Sequence, residues 1–250
     1  MTDEQYTDPR LAALYDPLEL DRPDLDAYLA VAEELRAHQI LDVGCGTGTL
    51  ALLLARRGHS VTGVDPAGAS LDVARAKSGA DQVRWLHGDA TGLPDLAVDL
   101  ALMTGNAAQA VVDEDLWADT LRGVRAALRP GGWFVFETRD PARRAWEEWT
   151  PEESRRTVRV PGTGEVETWF EVTGVRWPLV TFRTGYVLAA TGETLFSEST
   201  LRFRERDEVA ATLTASGFTV EEVRGAPDRP GKEFVFFARA RAVVSPGGES

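Results

Sequence analysis

Cysteine occurs once in this 250-residue chain, at Cys45, so no internal disulfide can form and the cysteine usage does not point to an oxidising compartment. Histidine occurs three times, at His38, His59 and His87, with neither an H-E-x-x-H pattern nor Cys/His ligand spacing, so no metal site is expected. Basic residues are outnumbered, 27 Lys and Arg against 40 Asp and Glu, giving a formal net charge of −13 and a sequence pI near 4.8. Such a surface repels nucleic acid and anionic membrane over most of its area, which favours a small-molecule partner. Long apolar runs are missing too: none approaches the roughly 18 residues of a membrane span, and the opening MTDEQYTDPR has no basic or apolar region of a signal peptide. The cytoplasm is therefore the expected compartment, with no membrane partner.

What is present is a glycine-rich turn between a strand and a helix. In QILDVGCGTGT, Gln39 to Thr49, the apolar run Ile40–Val43 reads as a strand, and Gly44-Cys45-Gly46-Thr47-Gly48 reads as a sharp loop. Helical apolar spacing then runs to Arg56-Arg57-Gly58, where basic residues and a glycine suit a helix C-terminus. Glycine lets a backbone take positive φ and lets a ligand approach closely. A second strand, Ser60–Val64, ends in Asp65, a position from which a carboxylate accepts hydrogen bonds from a ribose diol. The dinucleotide spacing G-x-G-x-x-G fails in both frames, at Thr49 and at Ala51, and no Gly-Lys-Ser/Thr follows, so a nucleoside cofactor without a diphosphate fits best.

ILDVGCGTGTLALLLARRG resembles the first motif of the class I S-adenosylmethionine-dependent methyltransferases. VTGVDPAGASLDVARAK is similar to that family's acidic strand end and following helix, and VRWLHGDATGLP and LRPGGWFVFETRD resemble its third- and fifth-strand regions. These stretches stand in the family's order from about Leu35 to Asp140. The resemblance implies S-adenosyl-L-methionine as cofactor, held by Asp42, Gly44, Cys45, Gly46, Thr47, Gly48, Asp65, Pro66, Asp89 and Ala90. In it, Asp89 accepts the adenine amino group and Ala90 faces a ring nitrogen; by itself, a Gly-Asp pair also forms turns. Cys45 reads as a small space-filler and His87 as a strand-end packing residue or a proton acceptor at the site mouth.

Further strands are expected at Val83–Leu86, Val98–Thr104 and Trp133–Glu137, with helices at 25–36, 69–77 and 113–128; Pro9-Arg10 reads as a break between apolar stretches. After Asp140 come four segments rich in Thr, Val and aromatics, at 157–160, 165–173, 180–188 and 194–203, with turns at Gly162-Thr163-Gly164 and Thr191-Gly192-Glu193. A helix at 206–216 and strands at 218–223 and 234–239 close the pattern. The fold class is thus α/β, a Rossmann-like, seven-stranded, mostly parallel sheet with helices on both faces and an antiparallel β insertion after the fifth strand. Residues 1–250 are read as one methyltransferase domain, comprising an N-terminal helical cap at 1–37, a substrate lid at 141–204 and a disordered tail at 244–250.

The fourth strand ends in TGNAAQAV rather than the Asp/Asn-Pro-Pro-aromatic signature of nucleic-acid amino methyltransferases, which leaves Asn106 and Gln109 as neutral groups that orient a substrate or cap the next element. Tyr15, Arg139, Arg143 and Trp146 complete the candidate substrate set. In the run from Arg139 to Trp149, arginines either hold a carboxylate or planar substrate with the tryptophans, or pair with surface acids while the tryptophans seal the insertion. No catalytic residue is identified, because a sulfonium methyl is already activated and transfer to N, O or C of a small molecule needs mainly alignment. A non-catalytic nucleoside-binding or regulatory protein and an NAD(P)-dependent oxidoreductase are the rival readings, and a homodimer through the insertion is compatible with the sequence.

Overall fold

The computed structural model describes residues 3–19 and 22–242; the tail expected at 244–250 lies outside the described residues. Three N-terminal helices, α1 (Glu4–Thr7), α2 (Pro9–Leu18) and α3 (Asp24–Glu34), lead into the alternating unit. That unit runs β1 (Gln39–Val43), α4 (Thr49–Arg56), β2 (Ser60–Asp65), α5 (Gly68–Ala76), β3 (Val83–His87), β4 (Val98–Met103), α6 (Ala107–Ala110), α7 (Glu114–Ala127) and β5 (Leu128–Arg139). The insertion carries α8 (Pro151–Ser154), β6 (Arg156–Val160), β7 (Gly164–Arg176), β8 (Leu179–Leu188) and β9 (Glu193–Arg202). The chain then returns through α9 (Arg206–Ala215), β10 (Phe218–Gly225) and β11 (Glu233–Ala240).

The main sheet has seven strands in the order β10-β11-β5-β4-β1-β2-β3, and β6 to β9 form a separate four-stranded antiparallel sheet. β11 runs antiparallel to both β10 and β5, while β1 pairs in parallel with β2 and β4. The five strands from β1 to β5 therefore present their C-terminal ends along one edge, where α/β folds bind ligands. Helices cover both faces, so successive residues of one strand feed opposite cores. Leu41 and Val43 pack with Phe134, Phe136 and the α7 residues Leu121 and Val124, whereas Ile40 packs with Leu100, Val135 and the α3 and α4 residues Leu29 and Leu54. Phe136 stacks on Phe134 at 4.6 Å and on Phe236 at 5.3 Å between ring centroids, tying β11 to β5.

Two local expectations can be compared with the structure. The expected break falls at Asp8, between α1 and α2; Pro9 occupies the first turn of α2, where its missing N–H costs nothing, and Asp8 caps that helix by accepting from the Arg10 amide at 2.8 Å. The fifth strand, expected from Trp133, instead begins at Leu128, and a register shift opposite Val98 and Leu100 absorbs the extra residues.

α7 approaches the loop after β3 at Gly123, where a Cβ would stand 1.8 Å from the Ala90 carbonyl oxygen. Only a hydrogen fits there. Gly123→Ala should therefore destabilise the fold by about 1–3 kcal/mol despite the higher helix propensity of alanine, measured by urea denaturation; a variant as stable as the parent would contradict the close packing.

Candidate cofactor and substrate site

The glycine loop depends on backbone conformations that side chains resist: Gly44, Gly46 and Gly48 have φ of +71°, +53° and +76°. The amides of Gly44 and Cys45 both donate to the Val64 carbonyl, at 2.9 and 3.1 Å, and the Gly46 amide donates to Asp65 Oδ2 at 2.7 Å. Asp65 Oδ1 accepts from the Ala67 amide at 2.8 Å. The carboxylate thus braces the turn, with lone pairs remaining on each oxygen. Burial pushes its pKa up, while the Ala67 and Gly46 amides and nearby His87 pull it back. A Cβ on Gly48 would meet Trp85 at 2.4 Å, so the loop is also fitted to the ring that lies under it.

A cavity of about 320 Å³ opens above this loop and is lined by Asp42, Gly44 to Thr47, Asp65, Pro66, Asp89 and Ala90, among others. Nine of the ten residues expected to hold the cofactor thus line one space, and Gly48 stands beside it as the left-handed residue that starts α4. Asp42 is buried, and its Oδ2 has no hydrogen-bond partner among the described residues. Burial, with Asp65 adding repulsion, pushes its carboxyl up to about 7. Asp89 accepts from the Thr91 amide at 2.9 Å and from its hydroxyl at 2.5 Å, so it both shapes the turn and faces the cavity. Cys45 is buried, and burial raises its thiol pKa, consistent with a space-filling thiol. His87 hydrogen-bonds the Pro66 carbonyl at 3.1 Å, a packing role at the strand end.

The helix α2 is tied to the wall of this cavity by a residue that the sequence does not single out. Asp16 on α2 accepts from the hydroxyls of Thr47 at 2.7 Å and Thr49 at 3.1 Å, and pairs with Lys77 at 2.6 Å. The other side of α2, through Leu11, Leu14 and Leu18, packs on Val160, Val166 and Tyr186 of the second sheet. One short helix therefore bridges the glycine loop and the insertion.

A second cavity, of about 430 Å³, lies between α2 and the insertion, and its wall includes Tyr15, Asn106, Arg139, Trp149, Phe170 and Phe182. Tyr6, Tyr15, Arg22 and Gly105 line both cavities, so the two share a wall. The substrate candidates divide here. Tyr15 stands at the shared wall, 5.9 Å from Tyr6 between ring centroids. Asn106, in the left-handed region at φ +59°, reaches the second cavity from a buried polar cluster: its amide donates to Glu137 at 3.1 Å and its Nδ2 to Glu233 at 2.9 Å. Tyr28 donates to the other Glu137 oxygen, and Glu137 is pushed up by burial and by Glu233.

Gln109 lies behind Arg139, accepting from its guanidinium at 3.0 Å and so orienting it. Arg143 and Trp146 are absent from both cavity walls. Arg143 is an exposed side chain that donates to the Gly231 carbonyl at 2.7 Å. Trp146 is buried edge-on against Phe203 at 4.6 Å, sealing the insertion to the core. Of the two tryptophans in this run, the one that faces the cavity is Trp149, three residues on.

This architecture is shared with solved methyltransferases. An S-adenosylmethionine-dependent methyltransferase from Clostridium acetobutylicum superposes with a TM-score of 0.74 at 16% identity, over 93% of this chain and 98% of that one. The S-adenosylmethionine-bound amino pentose methyltransferase of Micromonospora echinaspora does so with a TM-score of 0.71 at 24% identity, over 90% and 96%. These likenesses show the fold. Residues 40–132 match the methyltransferase domain family. Among curated relatives, the cypemycin N-terminal methyltransferase of a Streptomyces species is 32% identical over 119 residues, 47% of this chain and 49% of its own length. The malonyl-[acyl-carrier protein] O-methyltransferase of Pectobacterium atrosepticum is 35% identical over 136 residues, 52% and 50%. The chain spans about half the length of the curated relatives it matches.

The residues fit S-adenosylmethionine. Its ammonium suits the unpartnered oxygen of Asp42, and its ribose the free lone pairs of Asp65. A cationic ligand favours the ionised form of Asp42, which prevails only above about pH 7. Affinity for S-adenosylhomocysteine, whose ammonium stays protonated here, should rise between pH 6 and pH 8 by up to about tenfold, with proton release in calorimetry at the lower pH. Asp42→Asn should flatten that dependence. An affinity independent of pH in the parent protein would rule out contact with Asp42.

Proposed function

We propose that this protein transfers a methyl group from S-adenosylmethionine to an N, O or C nucleophile of a small molecule. The observation that carries this reading is the shared wall at Tyr6, Tyr15, Arg22 and Gly105, which joins a cavity suited to the cofactor to a second, aromatic-lined one. When bound, S-adenosylmethionine supplies a methyl group already activated by a positive sulfur. The chain's own residues then have to hold, orient and keep water out. Asp42, Asp65 and the Gly44–Thr47 backbone hold; Asp89 and Ala90 define the far end. The α2 helix closes the roof, held by Asp16, and the sheet of residues 156–202 covers the second cavity as a substrate lid.

The two phenols at the junction are poor bases. Burial pushes both Tyr6 and Tyr15 up, so each keeps its proton and has it available to donate to a ligand. That suits an acceptor arriving with a free lone pair, such as a neutral amine or a phenolate. The acidic surface and the missing nucleic-acid signature support a small acceptor in the cytoplasm. Among the described residues no helix is long and apolar enough to cross a membrane.

The test is transfer of labelled methyl from S-adenosylmethionine to a pool of cell metabolites, with S-adenosylhomocysteine quantified alongside. A labelled product is expected, and Asp65→Ala should weaken S-adenosylhomocysteine binding about tenfold or more by removing a charged acceptor that also braces the loop. Tight cofactor binding without any labelled product would favour a non-catalytic nucleoside-binding protein; binding of a nicotinamide dinucleotide instead would favour an oxidoreductase.

A further inference from the structure

Four arginines, Arg22, Arg139, Arg156 and Arg229, line the second cavity against two carboxylates, Glu19 and Asp24. Three of the four are already paired: Arg22 with Asp24 at 2.8 Å, Arg156 with Glu19, and Arg229 with Glu233 at 2.6 Å. Among the described residues Arg139 has no carboxylate within ion-pair distance. Its guanidinium makes one protein hydrogen bond, from NH1 to Gln109 Oε1 at 3.0 Å, and lies 5.3 Å from the Trp149 ring centroid. Its Nε and second amino group have no partner, yet they are not among the buried unsatisfied atoms, so these donors open onto the cavity. Gln109, itself buried, fixes the fork by accepting from both the Arg139 backbone amide and its side chain.

An oriented guanidinium with a free edge matches the two oxygens of a carboxylate. One unpaired cation, with Glu233 and Glu137 behind the wall, balances a single negative charge better than a double one. Beside it stands an aromatic cluster: Trp149 packs 4.9 Å from Phe182, and Phe182 packs edge-on 5.9 Å from Phe170. On the methyltransferase reading above, we propose that the substrate is a small planar or aromatic carboxylic acid whose carboxylate is held by Arg139 while its ring lies among Trp149, Phe170 and Phe182. Arg139 lines the second cavity and not the first, so the carboxylate is the handle and the methyl acceptor is a different atom of the molecule, directed toward Tyr15 and Gly105.

Benzoate, benzamide and phenyl phosphate serve as probes, titrated by tryptophan fluorescence and calorimetry in the presence of S-adenosylhomocysteine. Benzoate should bind at least about tenfold more tightly than neutral, isosteric benzamide, and more tightly than phenyl phosphate. In Arg139→Gln the preference for benzoate should disappear while S-adenosylhomocysteine binding stays, and Arg139→Lys should restore part of it. Equal binding of benzoate and benzamide, no benzoate binding at millimolar concentration, or an unchanged preference in Arg139→Gln would overturn the proposal. Tighter phenyl phosphate would overturn its single-charge form. Should Arg139→Gln fail to fold, the comparison of probes on the parent protein decides. Failure of the parent to bind S-adenosylhomocysteine would instead remove the methyltransferase reading beneath it.

Discussion

The structure depends on a turn that only glycine can make. Gly44, Gly46 and Gly48 hold left-handed backbone conformations at the end of β1, and Val64 and Asp65 at the end of β2 anchor the first two by hydrogen bonds. Backbone amides that would otherwise be lost to a sharp turn are thereby satisfied or directed into the cavity. The cost of the conformation is small for glycine and large for any other residue, so the loop is tied to its sequence more tightly than the helices around it are. Parallel pairing with β2 and β4 then fixes the loop's position relative to Asp65 and to Gly105, the residue where the second cavity begins.

The N-terminal segment converts that open edge into two joined chambers. Asp16 grips Thr47, Thr49 and Lys77, while leucines on the same helix are buried against the insertion. Contacts from Gln5 to Ser197 and from Asp3 to Ser199 extend the attachment across the second sheet. Cofactor loop, roof and insertion are in this way mechanically coupled through a helix of ten residues.

Much of this was legible in the chain because the signals are local. Period-two and buried apolar runs marked β1 to β5, glycine spacing marked the loop, and Gly-containing turns at 162–164 and 191–193 marked the hairpins of the insertion. The contacts that frame the first cavity are not local. Asp16 meets Thr47 across 31 residues and Gly123 meets Ala90 across two elements, so neither appears in any window of sequence. Arg143 and Trp146 were reasonable candidates by residue type and proximity to Arg139. The 3-10 turns at Pro141–Arg143 and Ala145–Glu148, with Arg144 at φ +45° between them, instead send Arg143 outward and Trp146 into the core, leaving Trp149 at the cavity.

The central claim is that one ligand spans Asp42, the glycine loop, Asp65 and the Asp89–Ala90 turn, with its sulfur directed at the shared wall. A crystal structure with S-adenosylhomocysteine tests it most directly. The account predicts the amino acid end at Asp42 and Gly44–Thr47, the ribose on Asp65, the adenine beside Ala90 and the sulfur facing Tyr15 and Gly105. A ligand bound elsewhere, or with its sulfur sealed from the second cavity, would contradict it.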